Sequence, residues 1–198
     1  MSVTSESVAE EKTLLAKTSV GFWLYLMTDC LLFATLFATF AVMRDATAGG
    51  PAGRDIYDMP LVLTETVILL ISSFTCGVAL LGMMQKNVRQ VLLALISTFA
   101  LGAAFVVIEI SEFVKLINEG YGPQASGFLS SFFTLVGTHG LHVTFGLLWL
   151  VILAVVIYKC GLTSKLSRSL TLFALFWHFL DLIWIFVYTV VYLMGVVR

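Results

Sequence analysis

The chain has 198 residues, of which 60% are apolar and only 12% charged, with a formal net charge of −1. A soluble domain carries about 25% charged and about 45–50% apolar residues, so this composition cannot clothe a water-facing surface. The near-neutral balance also excludes a nucleic-acid partner, which needs a basic patch or stripe.

A bilayer core of about 30 Å takes about 20 apolar residues in a helix to cross. Windows with few or no charges fall at 21–43, 61–84, 91–115, 128–158 and 170–197. They predict an all-α integral membrane bundle of five transmembrane helices over 21–198, preceded by a polar N-terminal tail over 1–20. After the first span, the loop over 44–59 carries the turn Gly49-Gly50-Pro51, and Pro60 stands where the second span begins. After the third, the loop over 117–127 carries Gly120-Tyr121-Gly122-Pro123. A missing N–H costs nothing at such places. The apolar runs are continuous, which excludes barrel alternation, and the first is too long for a signal-peptide core.

Lysine and arginine set the orientation. The N-terminal side of the spans holds Lys12, Lys17, Lys86, Arg89, Lys159, Lys165 and Arg168, seven against Arg44, Arg54, Lys115 and Arg198 opposite. By the positive-inside rule the N-terminus is cytoplasmic and, after five spans, the C-terminus external. Trp23, Tyr158, Tyr188 and Tyr192 lie near span ends as interfacial anchors. The cysteines form no C-x-x-C or C-x-x-C-H pattern, and Cys30 and Cys76 read as small packing residues within spans.

The informative residues are the ionisable ones at membrane depth: Asp29, Glu65, Glu109, Glu112, His139, His142, His178 and Asp181. A charged acid at a helix centre costs about 2.5–3.5 kcal/mol on the insertion scale, so each must face protein or bind something. Asp29 lies ~12 Å into the first span at helical rise, and His139, His142, His178 and Asp181 fall toward the same middle layer. Glu65, Glu109 and Glu112 fall near the external edge, where carboxylates reach water. Glu109/Glu112, His139/His142 and His178/Asp181 are i, i+3 pairs, each on one helix face. Trp177, Asp181, Trp184 and Tyr188 continue one stripe. Gly137, Thr138 and Gly146 permit close helix approach. The pattern predicts an interhelical polar network in which imidazoles share protons with Asp29 or Asp181.

Other chemistries use the same residue types. A carboxylate-bridged metal pair uses Glu and Glu-x-x-His, and no Glu-x-x-His occurs here. A b-type haem needs two axial histidines, which His139 or His142 with His178 would supply in a stand-alone membrane cytochrome. A small ion transporter would use the middle-layer acids as its path, though repeats and broken helices are not visible. The residues alone leave these readings open.

Five stretches, in order, resemble a known family. They are Gly21-Phe22-Trp23-Leu24-Tyr25-Leu26-Met27-Thr28-Asp29-Cys30, Glu109-Ile110-Ser111-Glu112-Phe113, Gly120-Tyr121-Gly122-Pro123 through Ser130, Gly137-Thr138-His139-Gly140-Leu141-His142-Val143, and Trp177-His178-Phe179-Leu180-Asp181-Leu182-Ile183-Trp184. Together they resemble subunit III of the haem-copper terminal oxidases in its five-helix form, and most nearly that of the bacterial bo-type ubiquinol oxidases. The resemblance implies a non-catalytic subunit of a proton-pumping quinol oxidase, an oxidoreductase of the bacterial inner membrane. It implies that this chain binds no haem, copper or other metal, and that the redox centres lie in subunit I. Its partners would be subunit I directly, subunits II and IV of the complex, and phospholipid held in a V-shaped cleft, with a part in sustained proton uptake. On the resemblance, Asp29 falls where many relatives have a carbodiimide-reactive glutamate, a departure in side-chain length. Asp29, Glu65, Glu109, Glu112, His139, His142, Trp177, His178 and Asp181 would belong to the lipid cleft or a structural polar network.

Overall fold

The structure, a computed structural model, describes residues 5–51 and 53–197, with side chains at 17–51, 53 and 56–195. Among the described residues there is no strand. The helices are α1 Ser5–Met43, the single turn α2 Gly53–Ile56, α3 Met59–Met84, α4 Val88–Asn118, α5 Gly127–Cys160 and α6 Ser164–Val187. A π-helical segment over Tyr188–Leu193 and a last turn, α7 Met194–Val197, continue α6. Five stretches are long and apolar enough to cross a membrane: Lys17–Met43, Met59–Met84, Val88–Asn118, Gly127–Cys160 and Ser164–Leu193.

Local chemistry explains where the helices stop and start. Pro60 occupies the first turn of α3, where no N–H partner is lost. The side chains of Asn87, Ser126 and Thr163 accept from the backbone N–H three residues on and so cap α4, α5 and α6. The cap at Thr163 starts the last long helix six residues ahead of the apolar window at 170. Its polar first turns, including Lys165 and Arg168, are helical but not apolar. At the end of α4, Gly120 takes φ +86 while Tyr121 N–H donates to the Leu116 carbonyl at 2.9 Å. This Schellman closure needs a residue free of Cβ strain. Lys86 adopts a similar φ of 54 after α3, so the α3–α4 turn is made without glycine.

The chain divides into two units, Met1–Thr35 and Leu36–Arg198. In the first, the buried positions Leu26, Asp29 and Phe33 recur at helical spacing on one face, while Trp23, Leu24 and Leu31 are exposed. In the second, α3 packs along α4, α4 on α5, α5 on α6, and α6 returns to α3. The four long helices thus close into a ring whose centre is aromatic and aliphatic. Leu95, Phe105, Leu135, Phe173 and Trp184 are fully buried there. The outward faces carry Phe74, Phe145, Leu141 and Ile152 exposed, as apolar solvent demands. Cys76 is a buried packing residue as expected, but Cys30 is exposed.

Candidate functional site

The helix ring is fastened by two tryptophans of α6. Trp177 Nε1 donates to Ser72 Oγ of α3 at 3.1 Å, and Trp184 Nε1 donates to Thr66 Oγ1 of α3 at 3.1 Å. Both hydroxyls in turn donate to carbonyls of their own helix, Ser72 to Leu69 and Thr66 to Val62. Each hydroxyl is therefore both donor and acceptor, and each indole N–H is satisfied where no water is at hand. The six-membered ring of Trp177 also lies where a Cβ at Gly102 of α4 or Gly146 of α5 would meet it at 2.9 and 3.0 Å. One side chain therefore touches all three neighbouring helices.

The histidines take two different settings. His139 is fully buried, its ring 5.1 Å from that of Trp184 and edge-on to Phe105 at 5.9 Å. His142 Nδ1 is 2.8 Å from the Thr138 carbonyl and His178 Nδ1 is 2.6 Å from the Ala174 carbonyl. A carbonyl only accepts, so Nδ1 carries the proton in both and Nε2 is the unprotonated nitrogen of the neutral ring. Asp181 lies within electrostatic reach of Ser73 and His178. With His139, Trp177 and Leu180 it lines a recess of about 10 Å³, the room of one water. A haem has no space there.

The acids of α3 and α4 do come together. Glu65 is within electrostatic reach of Glu112, and Glu109 of both. Contrary to the expected wet outer layer, Glu65 is wholly buried and Glu109 is 4% exposed. Neither carboxyl has a hydrogen-bond partner among the described residues. The Glu109 oxygens lie 3.1 and 3.2 Å from where a Cβ at Gly140 would stand, so the carboxyl rests on the α5 backbone. The helices rather than lipid headgroups surround them, which is why depth counted along one helix misjudged their access to water.

Glu112 also lines a cavity of about 360 Å³ whose walls include Tyr57, Asp58, Lys115, Glu119 and Tyr192. Tyr57, Phe132 and Tyr192 form an aromatic group, with Tyr57 4.7 Å from Tyr192 and 5.4 Å from Phe132. The Tyr57 hydroxyl is buried without a partner among the described residues. Burial pushes its phenol above the ordinary 10.0, with the Arg44 guanidinium pulling the other way. Arg44 itself donates through Nη2 to the Met194 carbonyl at 3.2 Å, holding the end of the last span.

Tyr57, Asp58 and Tyr192 were not among the residues the sequence singled out for a site. Tyr192, by its sequence position an interfacial anchor, is 2% exposed and within electrostatic reach of the acids. Tyr192 lies within the π-helical segment over Tyr188–Leu193, whose wider turn shifts its direction relative to an α-helical register. No sequence signal announced that turn. Tyr57 and Asp58 lie within the loop predicted over 44–59, and only the chain path brings them to the cavity beside α4.

The nine predicted residues take several settings. Glu65, Glu109 and Glu112 form one group, and His139, Trp177 and Asp181 border one recess. His142 and His178 are each tied by Nδ1 to their own helix. Asp29 belongs to the first unit, where the Tyr25 hydroxyl is within reach of it one turn earlier. Among the described residues no group of three or more His, Cys, Asp or Glu is placed to hold a metal ion.

The order of these features along one five-span chain has counterparts in known proteins. A family model described as Cytochrome c oxidase subunit III matches residues 3–196. The chain belongs to the cytochrome c oxidase subunit III family. Among its relatives, a protein of Pseudomonas aeruginosa named cytochrome bo(3) ubiquinol oxidase subunit 3 is 57% identical over 90% of this chain and 85% of its own length. One of the same name from Buchnera aphidicola subsp. Baizongia pistaciae is 45% identical over 94% of this chain and 96% of its own. The cytochrome c oxidase subunit 3 of Bacillus sp. strain PS3 is 43% identical over 90% and 86%. As a member of this family with five helices long and apolar enough to cross a membrane, the chain spans the membrane several times.

Proposed function

We propose that the chain is the non-catalytic subunit III of a proton-pumping bo-type ubiquinol oxidase, in which quinol oxidation is coupled to reduction of O2 to water. The observation that carries this reading is the 57% identity to a protein of that name over nine-tenths of the chain. The histidine geometry agrees with a supporting role. The recess beside His139 takes a water rather than a porphyrin. In this reading haems and copper reside in subunit I, against which the helices pack, with subunits II and IV completing the complex. The exposed apolar faces suit phospholipid and neighbouring subunits alike. The setting is the bacterial inner membrane, with the 1–20 tail cytoplasmic and the C-terminus periplasmic, as the seven-to-four lysine and arginine imbalance favours. Asp29 and the acids and histidines of α3 to α6 serve structure, lipid retention and sustained proton uptake rather than electron transfer.

The test is isolation through a tag on this chain. A haem-bearing, quinol-oxidising complex should copurify, and the separated chain should show no reduced-minus-oxidised haem band. A haem spectrum in the separated chain would make it a b-type cytochrome, and purification without any haem-bearing partner would favour a transporter. Either result ends the proposal.

A further inference from the structure

One imidazole at membrane depth is left outside the ring of helices. His178 stands on α6, eight residues into the apolar window that opens at Leu170, which is about 12 Å deep at helical rise. Its side chain is nevertheless exposed. The bond from Nδ1 to the Ala174 carbonyl at 2.6 Å is the ring's one hydrogen bond among the described residues. With Nδ1 the donor, Nε2 is an acceptor that no donor among the described residues meets. Asp181, one turn on, is within electrostatic reach of the ring, but no hydrogen bond joins the two. The other long helices treat this depth differently. Near mid-span α3 exposes Leu70 and Ile71, α4 Phe99 and α5 Phe145, all apolar. The exposed hydroxyls of Ser97 and Thr144 donate to the Leu93 and Gly140 carbonyls of their own helices.

Lipid does not resolve this. Acyl chains carry no donor, and an imidazole is too short to reach an interface ~12 Å away. An unmet acceptor in hydrocarbon is costly, and a polar side chain at that depth marks a face that protein covers. The neighbours of His178 give the shape of the cover. Thr171, Leu175, His178, Leu182 and Ile185 follow at steps of four, three, four and three, the spacing of a seam against one other helix. Thr171, Leu182 and Ile185 are exposed along with His178, and Leu175 is half-buried. The Thr171 hydroxyl is spent on the Ser167 carbonyl. The seam is thus apolar except for the acceptor at its middle.

We propose that this seam of α6 docks a transmembrane helix of a partner subunit, which brings a side-chain O–H or N–H to His178 Nε2 at mid-membrane. The inference rests on the subunit reading and adds the face of this chain that is used and the polar contact that aligns it. Apolar packing alone lets two helices slide in lipid, whereas one hydrogen bond within the seam fixes their register, as a single polar side chain does in a coiled coil.

The experiment uses the assembled complex. In native membranes, p-benzoylphenylalanine in place of Leu182 or Ile185, one and two turns beyond His178, is photolysed and the adduct mapped by mass spectrometry. A crosslink to a transmembrane segment of another subunit of the haem-bearing complex is expected. Adducts only to lipid, to this chain itself or to a second copy of it overturn the proposal. The polar contact is tested at His178, where glutamine sets its amide near the place of Nε2 and asparagine near that of Nδ1. In mild detergent, His178→Leu and His178→Asn should shed this subunit from the complex at least threefold faster than the wild type, and His178→Gln should recover most of that loss. Circular dichroism of the separated variants should be unchanged, because the side chain is exposed in the chain. Dissociation of His178→Asn at the wild-type rate, or no recovery in His178→Gln, also overturns the proposal. A haem-bearing complex that copurifies without the crosslink ends this inference alone, whereas absence of any haem-bearing partner ends the subunit reading and this inference with it.

Discussion

Substituting Gly102 by alanine places a methyl 2.9 Å from Trp177 Cη2 and 3.0 Å from Cζ2, with Leu147 Cδ2 also at 2.9 Å. The leucine methyl is the far end of a flexible side chain and can turn aside. The indole cannot, since it is 2% exposed, tethered through Nε1 to Ser72, and bordered by Gly146 on α5. Overpacking a tight core costs about 1–3 kcal/mol, while replacing a helical glycine by alanine returns about 1 kcal/mol. The net destabilisation expected is about 0–2 kcal/mol. The decisive quantity is its dependence on the ring. Phenylalanine lacks the outer atoms that meet the new methyl, so Gly102→Ala should become neutral or stabilising in a Trp177→Phe background. The coupling between the two substitutions should then be about 1–2 kcal/mol, within the range for contacting residues. Unfolding of the four variants in mixed micelles of dodecyl maltoside and dodecyl sulfate measures it. An alanine cost that is the same in both backgrounds would refute the reasoning.

Three further outcomes follow from the same geometry. Trp184→Phe and Thr66→Val each remove the 3.1 Å bond between α6 and α3; their coupling, read by the same unfolding assay, should be about 0.6–1.7 kcal/mol. Tyr57 has a folded-state phenol raised above its ordinary 10.0 by burial, so its stabilising term is fully present below that pH and declines as the pH climbs beyond it. Tyr57→Phe should flatten the fall in unfolding midpoint above about pH 10, and an unchanged slope would contradict the burial of that hydroxyl. Asp29→Asn or His178→Ala should weaken assembly or shorten the active lifetime of the complex while leaving initial quinol oxidation nearly intact. Immediate loss of turnover in a fully assembled complex would count against a supporting role.

The distinction between legible and illegible features is physical. Five spans follow from the charge-poor windows because a bilayer charges a large cost for every polar side chain, and that cost is local to the segment. The turns at Gly49-Gly50-Pro51 and Gly120 were equally legible, since backbone conformations of this kind are set by the residues that adopt them. The paired spacing of Glu109 with Glu112 placed them on one helix face, and the structure does unite them with Glu65. What spacing along one helix does not contain is the identity of the neighbour. That His139 and Asp181 border one small recess, with the His139 ring close to Phe105 and Trp184, is set by the packing of α5 and α6.

The sequence by itself determined the solvent, the number of spans and the set of costly polar residues, because burial in lipid acts on each segment independently. Only the tertiary structure decided which of those residues face one another. Closing four helices into a ring buried Glu65 and Glu109 away from the water that their depth had suggested. A single π-helical turn then brought Tyr192 to their side. Helix rotation and packing are collective, and a shift of one residue in register moves a side chain from lipid to core without changing the composition that announced the span.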